Sequence, residues 1–532
     1  MSLNSIIQSV GRKLSRTKND SRIQLLNYEV LNKTIKTQQK PVLMFNASTR
    51  LDGISLNAGF SFLTGLSLRL RGIPVKHFVC QSGMKKCVLG TLFEGPDGSM
   101  PCKECLRQSK VLYPQSERIL FQFKSDEELR NTIQNLPLEN LEKFVHEDLP
   151  LGELVLPTMR WVLRRHHLFD DKATRELFRD YLCSAWNIAQ QFEKTLVKED
   201  PQCVLVFNGM FYPEATVKHI SEKHGVRVAS HEVGLAPFSG YFTYGEATAY
   251  PIDIPDEPLT FAQQKNLDGY LAKRFKGDFS MAGIRFWSDF QQLSDEFWEQ
   301  ARRFKQIVPV FTNVVFDTSQ KHANVLFPQM FAWLDEILES IKTHPETLFV
   351  IRAHPDEDRP GKQSRESVSD WIKTNQVDEL ENVMFVDSKE YFSSYELIQK
   401  SKFVMIYNST IGLEASIMGA PVLSGGKARF TQIPTVFFPA SQAQFREQVE
   451  EFLNTSHIEI PGEFKVNAEK FLYYQVFRSS LPFTRYLDED GFWKGYVKLK
   501  KFTIEDLLPE NSETMQIIQD GLLDEKEMLL SS

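Results

Sequence analysis

No stretch of this chain approaches the ~20 consecutive apolar residues of a membrane-spanning helix, and its N-terminus has no apolar core of the signal-peptide kind. Both absences predict a cytoplasmic protein. An excess of basic charge is also missing: 62 Lys and Arg face 69 Asp and Glu, for a net charge of −7 and a pI near 6.0. Without a bulk basic surface, nucleic acid is not expected as a partner. Only six cysteines occur, and four of them fall between residues 80 and 105. What remains is ordinary for a globular chain: 42% hydrophobic and 25% charged residues, with Phe abundant at 41. A length of 532 residues is enough for two or three domains with cores of their own.

The stretch Phe403 to Gly426, FVMIYNSTIGLEASIMGAPVLSGG, organises the rest. Its opening apolar run, Phe403 to Tyr407, has the length and β-rich composition of a buried strand. A polar turn follows at Asn408, Ser409 and Thr410, and a helix is predicted from about Ile411 to Met418. Gly419 stops that helix, and Pro421-Val422-Leu423 starts another strand. Two hydroxyls and several backbone N–H groups then meet at a helix N-terminus, which favours an anion. Glu414, one turn further, is placed to accept a hydrogen bond from a sugar hydroxyl. The alternative is an ordinary capped helix, with Glu414 serving its dipole. A second buried-strand pattern, Leu348 to Pro355 (LFVIRAHP), ends in Arg352, His354 and Pro355. Ligands of open parallel sheets bind at the carboxyl ends of strands, so both motifs are expected to open onto one crevice. A phosphate beside a sugar describes a nucleotide sugar.

Residues 1–37 are polar, with Ile6, Ile7, Val10 and Leu14 at helical spacing among Arg12, Lys13, Arg16 and Lys18. This pattern fits a helix on an anionic membrane surface, a helix packed on the body, or a loose tail. An N-terminal Rossmann-like domain is predicted over 38–305. Strand Val42 to Ser48 leads through a Gly-bearing loop, Thr49 to Gly59, into a helix ending near Arg71-Gly72, and strand Ile73 to Val79 follows. Asp52 sits at the first strand's carboxyl end, as a cleft residue or as a turn residue. From Ser125 to Lys198 the pattern is a helical insert. Strand Cys203 to Gly209, helix Pro213 to His224 and strand Val226 to Gly234 repeat the opening unit and end in His231 and Glu232. Glu232, tuned by His231, is a candidate general base; the plain alternative is a solvated strand end. Residues 235–305, irregular and then helical, read as a lid and bridge.

A second Rossmann-like domain is predicted over 306–440, beginning with strand and loop Val308 to Asp317 and a long helix at about Val325 to His344. Thr312, Asn313 and Asp317 complete a polar rim around Arg352, His354, Asn408, Ser409 and Thr410. Residues 441–532 read as a helical extension with an acidic tail, and FLYYQVF (Phe471 to Phe477) packs at the domain junction.

Cys80, Cys87, Cys102 and Cys105 form a group whose last pair is a CxxC. In a reducing compartment such thiols point to a metal before disulfides: a structural Cys₄ zinc or an iron–sulfur cluster. The alternative is four unrelated buried thiols. Cys183 and Cys203 lie in helix and strand patterns of the core.

Two Rossmann-like halves facing a central cleft suggest an α/β, GT-B-like glycosyltransferase architecture. The phrases FTNVVFD, IRAHPDE, NSTIGLEASIMGAPVL and HEVG resemble the capsule polysaccharide biosynthesis family, which includes β-Kdo transferases. The resemblance covers about Pro41 to Ala440 and is strongest in the second half. It implies a donor-phosphate role for His354-Pro355 and matches the family's turn and LEA motif at Ser409, Thr410 and Glu414. It also implies transfer from a nucleotide-sugar donor to a glycan or lipid-linked acceptor, without a metal at the phosphate. The cysteines and the helical insert depart from the Kdo transferases, so CMP-Kdo is not carried over as donor. On this reading Arg352, His354 and the Ser409–Thr410 turn offset leaving-phosphate charge, with Thr312, Asn313 and Asn408 beside them. Glu414 grips the ribose, and Glu232 or Asp52 deprotonates the acceptor. The alternatives are a nucleotide-sugar 2-epimerase and a non-catalytic scaffold of polysaccharide export.

Overall fold

Two parallel-rich sheets, each sandwiched between helices, carry the chain in a computed structural model. It describes residues 3–531 apart from 36, 49–52, 95–97, 276–279, 282–283, 286–292, 391 and 493–494. The second sheet runs Val383–Val386, Thr347–Arg352, Gln306–Phe311, Val404–Ile406, Val422–Ser424, with every pairing parallel. Numbered along the chain this order is 3-2-1-4-5, that of a doubly wound sheet. The first sheet repeats it: Arg118–Phe121, Val75–Cys80, Val42–Phe45, Cys203–Phe207 and Val228–Val233 are parallel neighbours in that order.

The strands read as unbroken apolar runs because both faces are covered. Along Val42–Phe45, Val42 and Met44 join one core, and Leu43 and Phe45 the other. Phe349 and Ile351 likewise enter one core of the second sheet, with Leu348 and Val350 in the opposite one. The period of two that alternates side chains thus builds four cores, one on each face of each sheet.

Three regions differ from the sequence reading. Within 235–305, Ser239–Tyr244 is an antiparallel strand added beside Val228–Val233. Its aromatic Gly-containing sequence lacks the β-branched run that marks its neighbours. The C-terminal extension is not merely helical, because it returns to the first half. Leu481–Pro482 pairs with Ser239–Tyr244, and Leu487–Glu489 and Tyr496–Leu499 form a small sheet with Ile54–Ser55. Helix Glu513–Asp524 places Met515, Ile518 and Leu522 in the same core as Phe60. The N-terminal segment is a single helix, Leu3–Lys33. Its second part packs on the body: Ile23, Leu26 and Val30 are buried, and Asn19 accepts from the Leu499 amide at 2.9 Å. Val10 and Leu14 remain exposed, while the side chains of Ile6 and Ile7 lie outside the described residues. Among the described residues no helix is long and apolar enough to cross a membrane.

The helical insert also touches the second half. The Arg365 amide donates to the Arg164 carbonyl at 2.8 Å, and the His166 and His167 amides donate to Glu366 at 2.7 and 3.0 Å. These bonds pin the loop that follows His354.

Candidate functional site

In a 3-2-1-4-5 sheet the connections part in opposite directions between the first and fourth strands, and the crevice there is the expected ligand site. In the second sheet those strands are Gln306–Phe311 and Val404–Ile406. Asn313 and Asn408 follow their ends, and Asn313 Nδ2 donates to Asn408 Oδ1 at 2.7 Å. Above this pair a cleft of about 560 Å³ opens between the second sheet and residues 235–251 of the first half.

Helix Ile411–Ile417 begins at the cleft floor. Gly412 lets it close on the strand before it, since a Cβ there would sit 2.3 Å from Ile406 Cδ1. Thr410 occupies the N-cap but makes no side-chain capping bond. Its exposed hydroxyl and Ser409 both line the cleft, which is not the arrangement of an ordinary capped helix. Gly425 packs against Trp333, where a Cβ would fall 2.2 Å from the indole. The chain then presents Lys427 and Arg429 to the cleft, with the Lys427 amide donating to the Ala323 carbonyl at 3.0 Å. The Arg429 guanidinium lies 4.3 Å from the Tyr250 ring centroid, and Tyr250 stacks on Tyr241 at 4.0 Å. Lys321 adds a third cation to the lining, beside Asp317, whose carboxylate accepts from the Ser319 amide and hydroxyl at 2.9 and 2.6 Å.

His354 also lines the cleft. Its Nδ1 accepts the Asp356 amide at 3.1 Å. Burial lowers its pKa, with Asp356 opposing and Arg352 assisting. The ring is therefore neutral with Nε2–H as its donor, suited to a phosphate oxygen. His322 has the complementary arrangement. Its Nε2 lies 3.2 Å from Glu246 Oε2 and 3.0 Å from the Thr248 hydroxyl. A proton on Nε2 suits both neighbours, a carboxylate that only accepts and a hydroxyl that can accept, and leaves Nδ1 as the basic nitrogen. Burial lowers the His322 pKa against the pull of Glu246, with Lys321, Lys427 and Arg429 adding to the depression. The ring is thus neutral and oriented by a carboxylate, as in a nucleophile-activating dyad.

Of the donor residues expected from sequence, the structure brings His354, Asn313, Asn408, Ser409 and Thr410 together in the cleft lining. Three others face inward. Thr312 is buried and donates to the Arg352 carbonyl at 2.8 Å, tying two strand ends. Arg352 is itself buried, donates to Ser394, and has its pKa pushed down to about 10 by that burial. Glu414 is only 3% exposed: Arg274 donates to it from Nε at 2.8 Å and Nη2 at 2.5 Å, and Tyr395 from its hydroxyl. Its carboxylate is spent on an internal ion pair, which corrects the ribose-gripping placement.

The expected bases do not reach this cleft lining either. Glu232 accepts from Asn57 at 3.0 Å, Asn208 at 2.8 Å and the Val233 amide at 2.8 Å. His231 is fully buried near Phe60, Phe207 and Phe242, and desolvation drives its pKa down to about 3. It is a neutral core imidazole that bonds Asn57 at 3.2 Å, so it does not tune Glu232 from a solvated strand end. Asp52 lies outside the described residues.

The four cysteines line one small cavity on the first half, and none is in a disulfide. Among the described residues, no three of His, Cys, Asp and Glu meet closely enough to hold a single metal ion.

Sequence reasoning missed Lys321, His322, Lys427, Arg429 and Glu246. Lys427 and Arg429 follow PVLSGG directly, so the strand-end rule that singles out Ser409 also reaches them. His322 has no such signal, because its partner Glu246 comes from the other half.

Residues 263–448 match the model of the family described as capsule polysaccharide biosynthesis protein, the family the second-half motifs resemble. That span contains all five strands of the second sheet. No curated protein sequence matches the chain significantly. Among solved structures it is similar to the Thermosulfurimonas dismutans KpsC β-Kdo 2,4-transferase, with 10% identity and a TM-score of 0.35 over 58% of this chain and 87% of that one. It is also similar to that organism's KpsC β-Kdo 2,7-transferase, at 14% identity and a TM-score of 0.30 over 60% and 86%. The UDP-GlcNAc 2-epimerase of Neisseria meningitidis follows at 13% identity and a TM-score of 0.23 over 82% and 98%. All three are loose likenesses.

Proposed function

We propose that this chain, whose residues 263–448 match the capsule polysaccharide biosynthesis family model, is a GT-B-like glycosyltransferase of surface-polysaccharide assembly. It moves a sugar from a nucleotide-sugar donor to a glycan or lipid-linked acceptor. The observation that carries this reading is the convergence of Lys321, Lys427, Arg429 and the His354 donor on the crevice at the second sheet's switch point. Such a crevice suits a phosphate-bearing ligand. The three cations and the hydroxyls of Ser409 and Thr410 supply the charge compensation that a leaving nucleotide phosphate requires.

In the reaction, the acceptor oxygen attacks the anomeric carbon while the bond from that carbon to the phosphate oxygen breaks. The electron pair leaves with the nucleotide, and the acceptor proton passes to His322 Nδ1. Glu246 holds the His322 tautomer and stabilises the imidazolium that forms. His322 takes this role in place of Glu232 because it stands on the cleft wall, whereas Glu232 is held by three donors of its own half. Residues 235–251 form the opposite wall, where the acceptor enters. Contact with a membrane carrying a lipid-linked acceptor is assigned to the early turns of helix Leu3–Lys33, where Val10, Lys13, Leu14 and Lys18 are exposed.

The test is turnover of a panel of nucleotide sugars, with and without capsule-type oligosaccharide acceptors, on the wild-type protein and His322→Ala. Nucleotide release that requires an acceptor, lost in His322→Ala while nucleotide binding is retained, is the expected result. Conversion of UDP-GlcNAc with no acceptor present would replace transfer with epimerisation. Absence of nucleotide binding by well-folded protein would leave the scaffold reading.

A further inference from the structure

We propose that Cys80, Cys87, Cys102 and Cys105 ligate an iron–sulfur cluster. Three separate elements bring these thiols to one place. Cys80 ends the strand Val75–Cys80, Cys87 caps the helix Val88–Leu92, and Cys102 and Cys105 occupy the first turn of the helix Cys102–Leu112. All four line a single cavity of about 30 Å³ against the first sheet.

The chemistry of that cavity is one-sided. Apart from Ser82, its lining besides the thiols is apolar, with no Lys or Arg among the described residues that form it. Yet the sulfurs receive hydrogen bonds: the Gly83 amide donates to Cys80 Sγ at 3.2 Å, the Gly90 amide to Cys87 Sγ at 3.1 Å, and Ser82 bonds Cys102. Gly90 permits this approach, since a Cβ there would crowd Met100 Sδ at 2.6 Å and Cys87 Sγ at 3.1 Å. Donors aimed at sulfur stabilise thiolates. Four thiols in an apolar cavity become thiolates only with a cationic centre between them, and no side chain lining it supplies one.

The spacing of the thiols then selects the kind of centre. Zinc draws four sulfurs to ~2.3 Å from one point. Among the described residues no three candidate ligands form a single-ion site, and the four thiols instead line one void. A polynuclear cluster is held in that way, because its thiolates bind different irons at the corners of a body several ångströms wide. Each thiol gives up its proton as its sulfur binds iron. The cluster would fasten Cys87, Cys102 and Cys105 to the end of the strand Val75–Cys80.

The full chain, purified without oxygen, should contain iron and acid-labile sulfide in equal amounts and show the visible charge-transfer absorption of thiolate-bound iron. Cys102→Ser with Cys105→Ser should lose most of both, while Cys183→Ser, at a core thiol outside the group, should retain them. If the double variant does not fold, reconstitution of the wild type with ferrous iron and sulfide, followed by far-UV circular dichroism, decides alone. One zinc per chain without sulfide would overturn the inference. So would well-folded wild type that takes up neither iron nor sulfide, or a folded double variant that keeps its full complement.

Discussion

The two sheets share the strand order 3-2-1-4-5, yet their switch points have opposite chemistry. In the first half, several of the described polar side chains at the strand ends bond to residues of their own half. Asn46 donates to Ser61 at 2.5 Å, Asn208 and Asn57 share Glu232, and the Ser48 amide and hydroxyl donate to Glu214 at 2.8 and 2.7 Å. In the second half the strand ends present three cations and a histidine donor to a cleft of about 560 Å³. A shared topology therefore supplies two places where a ligand can bind, and the side chains decide which is used. Polar groups bonded within one half make a wall, whereas cations gathered around one opening make a receptor.

This contrast can be broken most severely at Glu414. Arg274→Ala should cost about 3–5 kcal/mol of stability, because it strands a buried carboxylate without its counter-charge. Denaturant unfolding measures this directly. A wild-type midpoint would mean that Glu414 is free to face the cleft, and its ribose role would return.

Glu214 tests the closed character of the first half through pH. Burial raises its carboxyl to about 7, outweighing the Ser48 hydrogen bonds. In the unfolded chain the group ionises near its usual 4.5, so between these values the folded state holds more protons. Stability is then full below about pH 4.5 and falls as pH rises through about 7, by ~3 kcal/mol from this group. Urea midpoints at about pH 5 and about pH 8 should diverge in wild type and converge in Glu214→Gln. Equal divergence in both would place the titration elsewhere.

Smaller effects sharpen the receptor side. His354→Ala should weaken nucleotide binding about tenfold, the loss of one hydrogen bond to a charged oxygen. Glu232→Gln should change nucleotide affinity by less than about threefold, since its partners all belong to the first half. A larger drop in titration calorimetry would carry the site across to that half.

Much of this architecture is legible in the sequence for a physical reason. Parallel strands buried on both faces appear as short apolar runs, so Phe403 to Tyr407 and Leu348 to Arg352 are recognisable without any partner. The turn at Asn408, Ser409 and Thr410 is legible as well, because its residues are local to the strand end. What stayed hidden depends on distant pairing. Glu414 reads as a ligand group because Arg274, which neutralises it, lies 140 residues earlier. The Glu246–His322 pair forms only when the halves meet, and the return of residues 481–524 to the first core leaves no local mark. His231 reads as reactive because composition does not reveal the three phenyl rings around it.

The most direct test of the central claim is isothermal titration of the wild-type protein and the Lys427→Ala/Arg429→Ala double variant with CMP, UDP and GDP. The cleft account predicts that one nucleotide binds the wild type at micromolar strength and that the folded double variant loses at least tenfold to a hundredfold of that affinity. Equal binding by both proteins, or none by well-folded wild type, would contradict it.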